Sequence, residues 1–173
     1  MTSEVFTKTV LPLRDKCYRF AASMLRNGPE SEDIAQEVML RLWKRRDELS
    51  GIQSLEAWAM RATRNLAIDR TRHSNWRTGD VDVLYAHACK SLQADQRVEQ
   101  QEAVGAVFTH LEQLPATQRA VFHLREVEQQ SYREIAEALD LSDAQVKVYL
   151  HRARKRLRET LDPSHAPGHS ANS

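Results

Sequence analysis

The stretch from Ser131 to Leu161, SYREIAEALDLSDAQVKVYLHRARKRLRETL, constrains the fold more than any other part of this chain. It reads as two helices joined by a tight turn. Ser131 can cap the first helix, and Ile135, Ala136 and Leu139 give it one apolar face. Asp140-Leu141-Ser142 supplies the turn, and Ser142 is a natural N-cap for the second helix. There Val146, Leu150, Ala153 and Leu157 recur at helical spacing, which makes one buried stripe. Small Ala136 at the crossing lets the two helices approach closely. A pair of this kind is a helix-turn-helix, whose second helix can lie in the major groove of duplex DNA.

The remaining face of that second helix bears on DNA binding. Between Gln145 and Glu159 lie six cations (Lys147, Arg152, Arg154, Lys155, Arg156 and Arg158) against one carboxylate. Ordinary surface helices mix signs to gain pairs four residues apart. A rod this positive repels itself unless a polyanion is near, and each phosphate it neutralises releases counterions. Basic helices also serve as solvated faces or meet acidic proteins, and that reading stays open at this point.

Apolar periodicity organises the rest. Phe6, Val10, Leu13, Cys17, Phe20 and Met24 suggest one long amphipathic helix, stopped at Asn27-Gly28-Pro29. A second helix is expected near Ser31, with Ile34, Val38 and Leu42 inward, acidic at its start and basic at Lys44-Arg45-Arg46. A third, roughly Leu55 to Arg72, turns Leu55, Ala59, Ala62 and Leu66 inward. Periodicity fades between Ser74 and Gln93, resumes at Val98, Val104, Val107, Leu111 and Leu114, and continues after Pro115 over Ala116 to Glu126. The expectation is an all-α fold: two small helical domains joined by a flexible linker, the second with the helix-turn-helix. The boundaries predicted are residues 1–74, a linker at 75–97, residues 98–161 and a disordered tail at 162–173.

Composition narrows the chemistry. Net charge over 173 residues is only +1, so local patches carry the electrostatic argument. Cys17 and Cys89 belong to no CxxC or zinc-spaced cluster, and Cys17 falls on an apolar face. His165 and His169 in the tail lack a fixed geometry for a metal. No nucleophile–base pair, phosphate-cradling glycine loop or ligand cluster argues for catalysis, so the chain is expected to be no enzyme and to need no cofactor. The N-terminus has no basic-then-apolar signal and no run approaches a membrane span, which with two lone cysteines leads to the expectation of a cytoplasmic protein.

A second cationic element follows Trp58: Arg61, Arg64, Arg70, Arg72 and Arg77 stand against a single Asp69, with Trp76 nearby and Thr63 and Asn65 able to hydrogen-bond. Arginines beside aromatic rings suit a parted strand, cations following the backbone while rings stack on unpaired bases. For Trp58 by itself the favoured reading is a core anchor of the unit formed by the first three helices, while the arginines are harder to account for that way.

These segments in this order resemble the extracytoplasmic-function (ECF) sigma factors, small initiation subunits of bacterial RNA polymerase. PESEDIAQEVMLRLWKRRDEL and AWAMRATRNLAIDRTR resemble sigma region 2, and LEQLPATQRAVFHLREVEQQ followed by the helix-turn-helix resembles region 4. The resemblance implies core RNA polymerase, promoter DNA and an anti-sigma factor as partners. It implies that Asp33, Gln36, Glu37 and Trp43, in a D-x-x-Q-E-x-x-x-x-x-W element, dock polymerase. It implies Arg61, Arg64, Asn65 and Arg72 at the −10 element, with the Ser50–Ser54 loop where the family captures an extruded base. For the −35 element it implies Lys147, Val148, His151 and Arg152 toward bases, with Arg154 and Lys155 nearer phosphates. Two positions depart from the family pattern. Met60 stands where many relatives carry an aromatic ring, and Asp140 stands where the turn commonly carries glycine. A response-regulator type of transcription factor would share the helix-turn-helix but needs a receiver or sensing domain upstream, where this chain has an arginine-ended three-helix unit. A helical adaptor meeting acidic proteins is the other rival.

Overall fold

The computed structural model describes residues 1–73 and 110–162, and every regular element among them is helical. The apolar run from Phe6 to Met24 is two helices rather than the one its spacing predicts: α1 spans Ser3–Thr9 and α2 spans Leu13–Leu25. Pro12 lacks the N–H that a continuous helix requires, so the chain crosses the break on shorter turns, Leu13 N–H donating to the Val10 carbonyl and Arg14 N–H to that of Leu11. Asn27-Gly28-Pro29 does more than stop α2. Arg26 ends that helix in the left-handed region (φ 53°), and Asn27 then caps α3, Gly28–Lys44, its side chain accepting from the Glu30 N–H at 3.0 Å. Pro29 lies in the first turn of α3, where a missing donor costs nothing.

After a 3-10 turn at Leu49–Gly51, Ser54 caps α4, Leu55–His73, accepting from the Ala57 N–H at 3.1 Å. Helices α2, α3 and α4 pack together around Cys17, Phe20, Ile34, Val38, Leu42, Ala59 and Met60, all fully buried. Burying a side chain such as Phe20, Ile34 or Leu42 stabilises by roughly 1.5–3 kcal/mol each. Burial pushes the Cys17 thiol up to about 12, so it stays a thiol.

Beyond Pro115, α5 spans Ala116–Phe122 and runs into a π turn at His123–Val127, where the sequence suggests plain α-helix as far as Glu126. Gln129 is then left-handed at φ 58°. Helix α6, Tyr132–Leu139, opens with a capping box in which Ser131 and Glu134 satisfy each other's backbone donors. Helix α7, Asp143–Leu161, opens with the same device from Ser142 and Gln145. Between them Asp140 takes the left-handed conformation (φ 56°, ψ 50°) that glycine would otherwise provide. The stripe Val146, Leu150, Ala153 and Leu157 is buried as its spacing predicts. A smaller apolar cluster, Leu111 and Leu114 with Ala153 and Leu157, anchors the far end of α7.

The two units that the sequence suggests as separate domains share one hydrophobic core, running from Phe6 and Phe20 through Ala59 to Val121, Ile135 and Leu150. Helix α4 packs against α6, and α2 against α5 and the π turn. Polar groups cross the same junction. Arg19 Nε and Nη2 each donate to one oxygen of Glu128 at 2.9 Å, and His123 Nε2 approaches Glu128 Oε1 at 3.2 Å while its ring stacks on Phe20. Lys16 and the side chain of Gln130 both donate to Glu56 Oε1, at 2.7 and 3.1 Å. Arg26 pairs with Glu112. The expected linker at 75–97, most of the expected tail, and Trp76, Arg77, Cys89, His165 and His169 lie outside the described residues, as does the side chain of Arg72.

Candidate nucleic-acid and polymerase interfaces

Three exposed faces hold the residues singled out by sequence. On α7 the buried stripe leaves Lys147, Val148, His151, Arg152 and Lys155 exposed on the opposite side. At 3.6 residues per turn, Val148 and Lys155 point most directly away from the core, flanked by Arg152 and His151. Val148 is 46% exposed, an apolar side chain with no partner cost, chemistry suited to a thymine methyl. Lys147 and Arg154 lie at the edge of this face rather than at its centre. The Lys147 ammonium sits 5.9 Å from the Tyr132 ring, and Arg154 Nε donates to Glu126 Oε1 at 3.0 Å. Arg154 is thus partly neutralised by the π turn. Both rim a groove of about 650 Å³ floored by Phe122, Leu150 and Leu157.

The second face is a cleft of about 430 Å³ between the end of α3 and the start of α4. Arg61 and Asn65, both predicted, line it with Trp58. Arg41, Lys44 and Arg45 join them from α3, and sequence reading did not place them in this cleft because a basic helix end suits the helix dipole equally well. The run of cations from Arg41 to Arg46 was the available signal. Trp58 is half-buried, packing on the core edge while one side of it walls the cleft. Arg64 is half-buried and does not line the cleft, and Arg72 lies in the last turn of α4. Met60 is fully buried, so that position offers nothing to DNA. Arg61 is also tied across the junction, its Nε donating to the Glu137 carbonyl of α6 at 3.1 Å.

The third face, on α3, is a hollow of about 450 Å³ formed by Asp33, Gln36, Glu37, Leu40, Arg41 and Lys44. Glu37 pairs with Arg41, and Arg70 of α4 stands 3.9 Å from both Asp33 Oδ2 and Glu37 Oε2. Leu40, 50% exposed amid these charges, is an apolar knob that periodicity alone did not single out. Trp43 is not brought to this hollow. Its ring meets Phe6 edge-on at 5.0 Å and carries the Arg46 guanidinium at 4.6 Å, on another side of α3. Among the described residues no three His, Cys, Asp or Glu side chains gather as a metal site, and no helix is long and apolar enough to cross a membrane.

Two helical units, one carrying a cation-lined cleft and the other a helix-turn-helix with a basic outer face, define a sigma-type transcription initiation subunit. Residues 10–77 match the family described as Sigma-70 region 2, and residues 106–157 that described as Sigma-70, region 4. The chain is 30% identical over 156 residues to the ECF RNA polymerase sigma factor SigX of Bacillus subtilis, covering 84% of this chain and 77% of that protein. It is 28% identical over 167 residues to SigW of the same organism, covering 91% and 89%. The sigma factor RpoE of Bartonella quintana, solved with the anti-sigma factor NepR, shares the fold at a TM-score of 0.68 and 20% identity, over 91% of this chain and 97% of that one. CnrH, solved with the cytosolic domain of CnrY, does so at 0.67 and 20%, over 93% and 90%. The protein belongs to the ECF RNA polymerase sigma factors. Members of this family direct transcription initiation as regulatory subunits rather than as catalysts.

Proposed function

We propose that this chain, as an alternative sigma factor, joins core polymerase through the α3 hollow and reads two promoter elements, one with each helical unit. Asp33, Gln36 and Glu37 face a basic surface of the polymerase, with Leu40 as the apolar centre of the contact. Trp43 supports that contact from behind, by holding α1 against α3. On α7, Lys147, Val148, His151 and Arg152 read base edges of the −35 element in the major groove, while Arg154 and Lys155 hold phosphates. Arg61, Arg64, Asn65 and Arg72 serve the −10 element, with Arg41, Lys44, Arg45 and Trp58 completing the cleft for a parted strand. Unstacking duplex DNA costs about 1.4 kcal/mol per step, so holding one or two extruded bases in a cationic cleft lined by an indole is enough to assist melting.

The observation carrying this reading is the separation of roles in space. A carboxylate-amide hollow and a cationic cleft lie side by side on α3 and α4, and a second cationic face is built on the helix pair α6–α7. The work is done in the cytoplasm with core polymerase. The solved relatives bound to NepR and CnrY support an anti-sigma factor as a further partner. Run-off transcription with purified core polymerase on a library of promoter fragments is the test. Specific starts that require the chain are the expected result, and an inert mixture of chain and polymerase would remove the reading.

A further inference from the structure

We propose that Arg70 is a positioning residue of the polymerase contact, holding the carboxylates of Asp33 and Glu37 together as one two-headed acceptor for a cation of the partner. This deepens the docking role proposed above for the α3 hollow and rests on it. Charge counting along the chain groups Arg70 with the arginines of α4 that suit a parted strand. The fold separates it from them. Arg61 and Asn65 line the cationic cleft, and Arg70 does not. At 3.6 residues per turn, the nine positions between them put Arg70 on the opposite side of α4 from Arg61. The end of α4 meets the start of α3, and there Arg70 Nη1 stands 3.9 Å from Asp33 Oδ2 while its Nη2 stands 3.9 Å from Glu37 Oε2.

The hollow needs such a part. Asp33 and Glu37 are four positions apart on α3, where like charges on one helix face repel. A guanidinium spanning both offsets that repulsion, its planar fork giving one nitrogen to each carboxylate. At 3.9 Å neither pair is a hydrogen bond, so the lone pairs of Asp33 Oδ2 and Glu37 Oε2 stay available to a donor from outside. The Arg70 side chain is 33% exposed and that of Asp33 64%, so the cation sits deeper than the acid and leaves its outer side to the partner. Glu37 is held a second time, its Oε1 pairing with Arg41, and Arg14 of α2 pairs with the neighbouring Glu32. Carboxylates fixed before encounter lose less freedom on binding, which lengthens the life of the complex. The charge of Arg70 acts the other way, lowering the negative potential of the hollow and slowing the approach of a basic partner. Removing it therefore has its own signature, undiminished association together with faster dissociation.

The test is surface plasmon resonance of the full chain on immobilised core polymerase, with association and dissociation rates read separately. Arg70→Met should associate at least as fast as wild type and dissociate about fivefold faster. Arg70→Lys keeps the charge and loses the fork, and should recover the wild-type association rate but only part of the lifetime. In an Asp33→Asn chain the like-charge pair is already gone, and Arg70→Met should there change dissociation by less than about twofold. A wild-type dissociation rate for Arg70→Met overturns the proposal, as does a fivefold acceleration that persists in the Asp33→Asn chain. Should Arg70→Met lose its helical circular dichroism, Arg70→Gln is read in its place by the same criteria. Binding of the assembled holoenzyme to a single-stranded −10 fragment supplies the competing outcome: strand affinity lost by Arg70→Met with dissociation from polymerase unchanged returns Arg70 to the strand-binding set. The docking reading is judged separately, by Asp33→Lys with Glu37→Lys. Polymerase binding undiminished in that variant removes the hollow itself, whereas binding lost there while Arg70→Met behaves as wild type leaves the docking role standing without the positioning one.

Discussion

Arg19 and Glu128, 109 positions apart in sequence, form a two-pronged ion pair buried between the helical units, with His123 closing its third side. Burial alone would raise the Glu128 carboxyl, but hydrogen bonds from His123 and Arg19 outweigh it and hold the group down to about 2. Burial pushes the His123 imidazole below its usual range, against the pull of Glu128. A neutral ring beside a carboxylate places the proton on Nε2, where it donates. Within this cluster the Glu128 carboxylate is matched by the Arg19 guanidinium and by a neutral ring donor, as a charge in dry surroundings requires.

Acid should loosen this junction in two stages. Both groups have folded pKa values below their unfolded ones, so the unfolded chain binds more protons and stability falls as pH falls. The His123 contribution is complete above about 6.5 and declines below it. The Glu128 contribution is complete above about 4.5 and is lost toward about 2. Thermal melting between pH 8 and pH 3 measures both. The His123→Phe variant should lack the near-neutral slope and keep the acidic one, and an unchanged neutral slope would mean another group titrates there.

Reversing the α3 hollow should abolish polymerase binding without unfolding the chain. Asp33 and Glu37 are partly solvated and contact Arg70 at 3.9 Å, a surface arrangement whose loss costs at most about 1 kcal/mol. Asp33→Lys with Glu37→Lys is therefore expected to melt near the wild-type temperature yet fail to co-sediment with core polymerase. Leu40→Ala should weaken the same association. Undiminished co-sedimentation of the double variant would remove the hollow as the docking surface.

On α7, position within the exposed face predicts the kind of effect. Arg152→Ala should change which upstream sequence is preferred, costing about 1–3 kcal/mol at one base position. Lys155→Ala should weaken every sequence alike and lower the salt slope by about one unit. Arg154→Ala should matter less than either, because Glu126 already compensates that guanidinium. Binding isotherms on a set of point-substituted duplexes at several salt concentrations distinguish the three, and indistinguishable profiles for Arg152 and Lys155 would refute the division.

The turn of the helix-turn-helix leaves room for stabilisation. Asp140 holds a left-handed conformation that glycine adopts without a Cβ clash, an advantage partly offset by glycine's greater freedom when unfolded. Asp140→Gly should therefore stabilise the chain by about 0.5 kcal/mol in urea unfolding. Ser142→Ala, by contrast, removes one half of the α7 capping box and should cost about 1 kcal/mol.

Much of this molecule was legible from residue order because its signals are local. The stripe from Val146 to Leu157 is a period of 3.6 read within one helix, and Ser131 and Ser142 announce their caps by identity and by the Glu or Gln three positions later. Pro12 was an equally local signal, and reading across it merged α1 and α2 wrongly. Trp43 was assigned to the docking face by its motif, yet ten positions from Asp33 it points to another side of α3 and meets Phe6. Arg41, Lys44 and Arg45 escaped assignment to the cleft because they reach it from a different helix than the arginines they join.

The sequence by itself determined the helix pair from Ser131 to Leu161, its two serine caps, the turn at Asp140 and the basic outer side of α7, since each depends on neighbours within a few positions. Only the tertiary structure decided that Arg19 meets Glu128, that the π turn presents His123 beside it, and that α4 lies against α6 rather than apart from it. Such pairings are set by which surfaces exclude water together, and shape complementarity between distant segments leaves no period in the chain to be read.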